Sequence, residues 1–383
     1  MKKVSFSFFL FLSMLVPVSA QIVSTLVPGP STFNDGLAID KDGNIYAALY
    51  YGTTVTKITP SGTTSIFASG FSSPNGIKFG RDGYLYVPNA TSNKISKVSP
   101  EGVVSDFITI SNPGELYFDS EGLLYVANYT NSSISVIDTS NNITLLYSGA
   151  PLNGPIGVLK DAAGTLYIGN FTDGKVFRIE NGNTFVEIGD LPGWLGFMVL
   201  IGENIYATAY QNNRIYKIPI DGSGQSVFAG NGTAGGTDGD VLSASFNQPN
   251  GITATSTGDT LYISEYNPRR LRMITGVLNP TSVNHDESEL VNKFSLEQNY
   301  PNPFNPSTKI KFTVGEAYYA SQVHVSLRVY DAIGNEIATL VNESKPAGEY
   351  EITFDGNNLP SGVYIYKFEA AGVIETRKML MIK

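Results

Sequence analysis

The chain has 383 residues, of which 42% are hydrophobic and 15% charged, so it is long enough for about two or three domains, each with its own core. The 39 glycines and 22 tyrosines, together with so few charges, favour an all-β protein with many tight turns. The formal net charge of −9 argues against nucleic acid and against an anionic membrane surface as partners. The absence of cysteine excludes disulfides, thiolate metal sites and a cysteine nucleophile.

Residues 1–20 are predicted to be a secretory signal peptide. Lys2 and Lys3 give a positive start, an apolar stretch runs from Phe6 to Val16, and residues 18–20 are small ones at the expected cleavage point. The alternative is a membrane anchor, but about a dozen apolar residues are too few to span a bilayer. No later segment approaches the length of a membrane span. The sequence therefore predicts an exported chain with no membrane span.

The next segment, residues 21–278, contains six copies of a short strand centred on a tyrosine. The tyrosines are Tyr46, Tyr86, Tyr125, Tyr167, Tyr206 and Tyr262. A turn and an apolar strand precede each copy, and most of these apolar strands open with glycine. A third strand follows each copy, and a fourth follows a turn that contains glycine. Four short antiparallel strands in roughly 40 residues are typical of a β-propeller blade. The sequence therefore predicts a six-bladed β-propeller.

The last copy ends after its third strand, at Leu271–Ile274, and lacks a fourth. Residues 22–29 resemble the fourth strand of another copy, so we expect them to complete the last blade and close the ring without a long open edge. The glycine-rich loop 230–240 fills the long interval before Tyr262. It lacks the residues of a phosphate-binding loop or an EF-hand, and an insertion between blades is predicted instead.

Two copies carry the residues that point to a family. One contains Pro249–Ile252 and Leu261–Ser264, and the other contains Pro74–Ile77 and Asp82–Val87. These segments resemble the NHL repeat and the related SMP-30/gluconolactonase-like propellers, and the resemblance covers residues 22–278. It implies the six-bladed fold and leaves the activity open.

After a polar stretch at residues 279–293, predicted to be a linker, residues 294–383 are expected to form a small immunoglobulin-like β-sandwich. Its predicted strands lie near residues 309–314, 323–330, 337–342, 349–355, 363–369 and 373–382. A proline-rich motif precedes them and excludes a helix or a central strand there. The motif consists of Pro301, Asn302, Pro303, Phe304, Asn305 and Pro306.

This tail closely resembles the type A C-terminal sorting domain of the type IX secretion system. The resemblance rests on Asn299–Thr308, Val329–Asp331, Leu359–Tyr364 and Lys378–Lys383. It implies that residues 301–306 are a sorting motif and that the type IX secretion machinery is a partner. The protein would then cross the periplasm of a Gram-negative-type bacterium and be secreted or held at the cell surface. The alternative is an ordinary adhesive sandwich.

Polar residues on one face of the propeller are candidate ligands of a divalent cation. Three of them each precede a glycine at the start of the first strand of a blade. The fourth lies at the end of a strand that is centred on a repeated tyrosine. The four are Asp35, Asn75, Asn250 and Glu265. Oxygen atoms that converge on a channel mouth suit Ca²⁺, which prefers about six to eight hard ligands. By resemblance, SMP-30-like enzymes bind a divalent metal at such positions for lactone hydrolysis. However, Ile156 and Leu195 fill two positions of the same ring, and Asn or Asp before Gly is also ordinary turn chemistry.

A second set of residues follows the repeated tyrosines by three or four positions, on the same face. They are Asn89, Asn128, Asn170, Tyr50, Tyr129, Phe171, Tyr210 and Tyr266. Aromatic rings and asparagine amides suit a glycan or peptide ligand. The alternatives are that the aromatic rings pack between blades and that the asparagines hold their loops through hydrogen bonds to the backbone.

The residues available for catalysis are few. His285 and His324 both lie outside the propeller, which excludes a histidine base and a serine triad on it. Asp35, Glu115 and Glu265 could act as a base only if buried or beside a metal. The leading hypothesis is therefore an exported propeller that binds an extracellular glycan or protein without catalysis. The alternative is a metal-dependent, calcium-type lactonase or hydrolase similar to SMP-30.

Overall fold

A computed structural model of the protein describes residues 21–278, 294–315, 323–331, 333–346, 348–370 and 373–383. These residues are almost entirely β-strands and turns, with one short 3-10 helix at Tyr210–Asn212. The predicted signal peptide (residues 1–20) and the predicted linker (residues 279–293) lie outside the described residues.

Six antiparallel sheets form the blades of a β-propeller, so the predicted fold class is confirmed. In blades one to five the strands pair in chain order, and the inner strands of neighbouring blades contact one another around a closed ring. Blade one contains Leu37–Ile39, Ile45–Ala48, Thr54–Ile58 and Thr64–Ser69; blade two contains Lys78–Phe79, Leu85–Asn89, Lys94–Val98 and Val104–Thr109; blade three contains Pro113–Phe118, Leu124–Asn128, Ser133–Ile137 and Ile143–Ser148. Blade four contains Pro155–Lys160, Leu166–Asn170, Lys175–Glu180 and Thr184–Asp190; blade five contains Leu195–Ile201, Asn204–Ala209, Arg214–Pro219 and Ser226–Ala229; blade six begins with Pro249–Ala254, Thr260–Glu265 and Leu271–Thr275.

The repeated tyrosine of blade one links this blade to blade two. The ring of Tyr46 packs edge-on against Phe67 of its own outer strand and against Phe79 of blade two, with ring centroids 4.8 and 5.0 Å apart. Its hydroxyl group donates to Asp40 in the preceding turn, at 3.1 Å. Aromatic pairs of this geometry favour a defined packing beyond the area they bury. In blade one the repeated tyrosine therefore joins a turn, its own blade and the next blade.

The ring closes through the first strand of the described chain. Ile22–Val27 pairs antiparallel with Leu271–Thr275 and supplies the fourth strand of blade six, which confirms the predicted closure. A short fifth strand, Gly239–Asp240, pairs with the free edge of Ile22–Val27. This strand comes from the predicted inter-blade insertion and was not itself predicted.

The insertion also holds the closing strand through side chains. The carboxylate of Asp238 accepts hydrogen bonds from the backbone N and the hydroxyl group of Thr25, at 3.1 and 2.9 Å. The same carboxylate accepts a hydrogen bond from Nη2 of Arg272 at 2.7 Å, and Arg272 is fully buried in blade six. Because these three residues come from three separate segments, the loop fastens both ends of the propeller to each other.

Glycine lies near the start of every inner strand and allows the blades to approach closely. These glycines are Gly36, Gly76, Gly114, Gly157, Gly196 and Gly251. A Cβ atom on Gly36 would lie 2.6 Å from the backbone oxygen of Asn75, and one on Gly251 would lie 2.2 Å from the backbone oxygen of Asp35. Both distances are shorter than any real contact, so the backbones of neighbouring blades occupy the space that a side chain would need.

The C-terminal residues form a second set of sheets around their own core. One sheet contains Ser295–Leu296, Ser307–Val314 and Gly348–Asp355; the other contains Glu336–Lys345, Val323–Tyr330, Gly362–Ala370 and Val373–Met381. Phe312 and Phe368 contact each other between the two sheets, with ring centroids 5.4 Å apart. The predicted small immunoglobulin-like sandwich is confirmed, and the short strand Ser295–Leu296 adds to the six predicted strands.

Replacement of Gly36 by alanine is expected to destabilise the propeller by about 3 kcal/mol, because the new methyl group meets backbone atoms that cannot turn away. Gly114→Ala is the matched control, since its methyl group meets the flexible end of the Ile156 side chain and should cost about 1 kcal/mol. Urea unfolding followed by the emission of Trp194, the single tryptophan, measures both values. Equal losses in the two variants would contradict the prediction.

Candidate functional site

The face on which the inner strands begin and the second strands end, here called the top face, carries a row of aromatic side chains. Tyr129, Phe171, Trp194, Tyr210 and Tyr266 contact one another in that order, with ring centroids 5.7, 5.1, 6.0 and 5.6 Å apart. We call these five residues the aromatic arc. They come from blades three to six, and Tyr129 and Trp194 are 38% and 39% exposed. The arc contains four of the five aromatics that follow the repeated tyrosines, together with Trp194.

Tyr50, the fifth predicted aromatic, lies on blade one beside the exposed Tyr51, with ring centroids 4.5 Å apart. Burial raises the pKa of Tyr50 to about 12, and nearby Tyr51, Asp35, Tyr129 and Tyr266 add to that rise. Tyr129 and Tyr266 belong to blades three and six.

Asp35 and Asn250 meet at the mouth of the central channel. One carboxylate oxygen of Asp35 accepts a hydrogen bond from the backbone N of Gly36 at 2.8 Å, and the other accepts one from Nδ2 of Asn250 at 3.0 Å. The same Nδ2 donates to the backbone oxygen of Asn34 at 3.1 Å. Asp35 is 4% exposed, and burial raises its pKa to about 7 although both hydrogen bonds oppose the rise. This carboxyl group therefore titrates near neutral pH.

Glu265 is engaged in a different network. Its carboxylate is fully buried, accepts a hydrogen bond from the backbone N of Asn247 at 2.7 Å and forms ion pairs with Arg270 and Arg272. Burial raises the pKa of Glu265, whereas the two guanidinium groups oppose that rise. Because Arg272 also binds Asp238, the network anchors the insertion. A cation placed at Glu265 would meet two positive charges.

The structure thus brings together two of the four predicted metal ligands, Asp35 and Asn250. Asn75 is buried at the start of blade two, where its backbone N donates to Pro88 at 3.1 Å. Within the described ranges, no three side chains of His, Cys, Asp or Glu come together in a way that could hold a metal ion.

The three predicted rim asparagines are buried within their own blades. Asn89 accepts a hydrogen bond from the backbone N of Ser72 at 2.9 Å and donates to Ser96 at 3.0 Å. Asn128 donates to Ser135 at 2.8 Å, and Asn170 donates to the backbone oxygen of Pro151 at 3.0 Å. These amides hold the loops of the top face, while the aromatic side chains form more of its surface.

The channel itself is filled by residues that were not predicted as ligands. A Cβ atom on Gly76 would lie 2.7 Å from the ring of Phe197, which reaches across from the opposite blade. Nζ of Lys78 lies 3.6 Å from the carboxylate of Glu115, and both residues are buried. Burial raises the pKa of Glu115 to about 7, and the charge of Lys78 opposes the rise. The sequence could have pointed to Lys78, because it is a charged residue inside an otherwise apolar inner strand.

The predicted sorting motif is folded against the last strand of the sandwich. Pro301, Asn302 and Pro303 are exposed, whereas Phe304 is 1% exposed and its backbone N donates to Leu380 at 2.9 Å. The backbone N of Leu380 in turn donates to the side-chain oxygen of Asn302 at 2.8 Å. The motif is therefore a defined surface rather than a free tail.

Comparison with known proteins agrees with these observations. Residues 298–383 match the family described as the secretion system C-terminal sorting domain. No curated protein sequence matches the chain.

Solved structures with a similar fold come from several bacteria. One is an auxiliary nutrient binding protein from Bacteroides ovatus, with 14% identity and a TM-score of 0.58 over 67% of this chain and 76% of that one. A second is a gluconolactonase from Xanthomonas campestris, with 12% identity and a TM-score of 0.55 over 67% of this chain and 90% of that one. A third is a protein of unknown function from Bacteroides thetaiotaomicron, with 17% identity and a TM-score of 0.56 over 67% of this chain and 76% of that one. At these identities the likeness concerns the fold alone.

The chain is a six-bladed β-propeller with a fold similar to that of the solved gluconolactonase, followed by a sandwich whose residues 298–383 match the sorting-domain family. It carries the C-terminal sorting domain of the type IX secretion system, so it is exported and is either secreted or held at the cell surface. In the part of the chain that the structure describes, no helix is long and apolar enough to cross a membrane.

The buried carboxyl group of Asp35 predicts that the propeller is more stable in mild acid than at pH 8. Because folding raises its pKa from 3.8 to about 7, the folded protein keeps a proton that the unfolded chain releases between these values. The free energy of unfolding should therefore fall as the pH rises from about 4 to about 7, by at most about 1.4 kcal/mol per pH unit for one group.

Asp35→Asn cannot ionise and should remove this slope, whereas a replacement of the exposed Asp42 by asparagine should keep it. Glu115, whose pKa is also about 7, leaves a second slope in both variants. Urea unfolding followed by Trp194 emission at pH 5 to 8 measures the slopes. The prediction fails if Asp35→Asn shows the same pH dependence as the unaltered protein.

Proposed function

We propose that the protein is an exported binding module, and that the aromatic top face of its propeller holds an extracellular glycan or protein without a reaction of its own. The aromatic arc carries this proposal. Its five rings come from four blades, yet each contacts the next, and all are at least partly exposed. Aromatic residues buried only for packing between blades would leave no such continuous exposed row.

The chemistry of the arc supports a binding role. Aromatic rings offer large rigid surfaces on which a sugar ring or a side chain can lie, at little cost in conformational entropy. The tyrosine hydroxyl groups add hydrogen-bond donors, since the pKa of Tyr210 is raised to about 12 and this group stays protonated at neutral pH. Among proteins of similar fold, the one from Bacteroides ovatus is named a nutrient binding protein.

A second candidate function is metal-dependent hydrolysis of a lactone, in the manner of the gluconolactonase of similar fold. The contact of Asp35 with Asn250 at the channel mouth favours it. The ion pairs of Glu265 with Arg270 and Arg272 weigh against it, because they use the oxygen atoms that a third ligand would supply. The binding module is therefore the better supported of the two.

The binding role is tested by screening the full chain against glycans and surface proteins and then truncating the arc. Tyr210→Ala is expected to weaken binding of any ligand found by at least tenfold, because a central aromatic contact carries much of the energy of such interfaces. Leu145→Ala is the control, since Leu145 is 60% exposed on the outer strand of blade three, away from the arc. Equal affinity of the Tyr210 variant and the unaltered chain would contradict the proposal.

Calcium titration separates the two functions. A binding module of this kind should show no rise in melting temperature with millimolar Ca²⁺. A lactonase would show a rise, because an ion that binds only the folded state stabilises it. That rise would be lost in Asn250→Ala, and such a result would favour the second candidate and justify a lactone screen.

A further inference from the structure

We propose that a cleft at the blade-six end of the aromatic arc binds a carboxylated sugar, with the carboxylate on the guanidinium group of Arg269 and the sugar ring beside Tyr266. This inference rests on the proposed binding function and deepens it, because it names the class of ligand and the residue that recognises its charge.

The cleft lies between the top loop of blade six and the segment that follows the closing strand Ile22–Val27. Its volume is about 300 Å³, at the lower end of the range for small-molecule sites, so it suits one sugar unit rather than a chain. The lining residues are Pro30, Gln248, Tyr266, Asn267, Pro268 and Arg269. The backbone N of Ser31 donates to the backbone oxygen of Arg269 at 3.1 Å, which fixes one wall to the other. A ligand would therefore meet a preformed site.

The guanidinium group of Arg269 is available to a ligand. Arg269 is exposed, and among the described residues its side chain has no hydrogen bond and no ion pair. The next two arginines differ, because Arg270 and Arg272 both form ion pairs with the buried carboxylate of Glu265. The protein thus uses two of the three positive charges of this segment for its own packing, and the third faces the cleft.

The backbone at Arg269 and Gln248 points to a role for their side chains. The angle φ is 69° at Arg269 and 54° at Gln248, in the left-handed region that long side chains rarely adopt. Blades two to five place smaller residues at the same two positions of the repeat. The counterparts of Arg269 are Asn93, Ser132, Gly174 and Asn213, and those of Gln248 are Ser73, Asn112, Gly154 and Gly193. Blade six therefore carries long polar side chains at two unfavourable positions, and both line the cleft.

The lining matches a carboxylated sugar better than a neutral sugar or an acidic peptide. A planar guanidinium group can hold a carboxylate through two parallel hydrogen bonds. The side-chain amides of Gln248 and Asn267 have no hydrogen bonds among the described residues and can both donate to and accept from sugar hydroxyl groups. Pro30 and Pro268 have no backbone N–H, so these walls lack the donors with which a peptide strand would pair.

Tyr266 connects the cleft to the rest of the aromatic arc. Its ring is half-buried and packs edge-on against Tyr210, with ring centroids 5.6 Å apart. A sugar in the cleft would lie beside the aromatic surface of Tyr266, and the next unit of a longer glycan would reach Tyr210. The net charge of −9 disfavours a polyanion, so one charged unit at a single arginine fits the protein better than a run of them.

The test is calorimetry of the full chain with glucuronic acid, galacturonic acid and N-acetylneuraminic acid. Each acid is compared with its methyl ester, which keeps the sugar ring and has no charge. We expect at least one acid to bind saturably, and at least tenfold more tightly than its ester, because the ester loses the charge-assisted hydrogen bonds to Arg269. No binding of any acid, or equal affinities of acid and ester, would overturn the inference.

Arg269→Asn removes the guanidinium group while easing the backbone, because asparagine adopts the left-handed conformation more readily than arginine. It should weaken the acid at least tenfold, with a urea midpoint no lower than that of the unaltered chain. Arg81→Gln is the control that removes the same charge, since Arg81 is exposed in the turn between the first two strands of blade two. Unchanged affinity in Arg269→Asn, or an equal loss in Arg81→Gln, would overturn the inference.

Further arms separate this inference from the binding function. Saturable binding of neutral maltotriose without binding of the acids would overturn the inference and leave the binding function intact. The same conclusion would follow from a ligand that Tyr210→Ala weakens and Arg269→Asn does not. Tighter binding of galactose 6-sulfate than of the acids would overturn the carboxylate assignment in favour of a sulfated sugar. Binding of a glutamate-rich peptide in place of the acids would overturn it in favour of a protein partner.

Discussion

The close approach of neighbouring inner strands is the constraint on which the rest of the propeller depends. At Gly36 and Gly251 the backbones of neighbouring blades come so close together that a Cβ atom would not fit between them. Hydrogen bonds then fasten the blades, since Ser264 donates to the backbone oxygen of Asp35 at 2.7 Å and Thr208 donates to that of Asn250 at 2.5 Å. A narrow channel mouth with buried polar groups follows from this packing, because the blades leave no room for bulk water between them.

The same packing explains why residues far apart in the chain act together on the top face. Tyr129 and Tyr266 are separated by more than a third of the sequence, yet they belong to one aromatic arc because each follows a second strand. Below them, Phe197 fills the channel and Lys78 compensates Glu115. The buried charge of Glu115 is therefore compensated by Lys78, whereas burial raises the pKa of Asp35 to about 7, so that this carboxyl group can be neutralised by a proton.

Much of this architecture could be predicted from the sequence, because it is periodic. The repeated tyrosines predicted six blades, and the missing fourth strand after Leu271–Ile274 predicted the closure by residues 22–29. The clamp of Asp238 on Thr25 could not be predicted, since it joins an insertion to the opposite end of the propeller and has no counterpart in other repeats. Likewise, the spacing after the repeated tyrosine predicted that Glu265 lies on the top face. Its ion pairs with Arg270 and Arg272 depend on tertiary packing and could not be predicted.

The closed ring is tested most directly by replacing residues 22–27 with a glycine–serine sequence and measuring urea unfolding through Trp194. Trp194 lies beside blade five and reports on the propeller alone, because the sandwich contains no tryptophan. If closure makes the six blades one cooperative unit, the replacement lowers the free energy of unfolding seen at Trp194 by about 3 kcal/mol or more, since the fully buried Val23 and a whole strand of blade six are lost. An unchanged unfolding curve at Trp194 would contradict the dependence of the top face on ring closure.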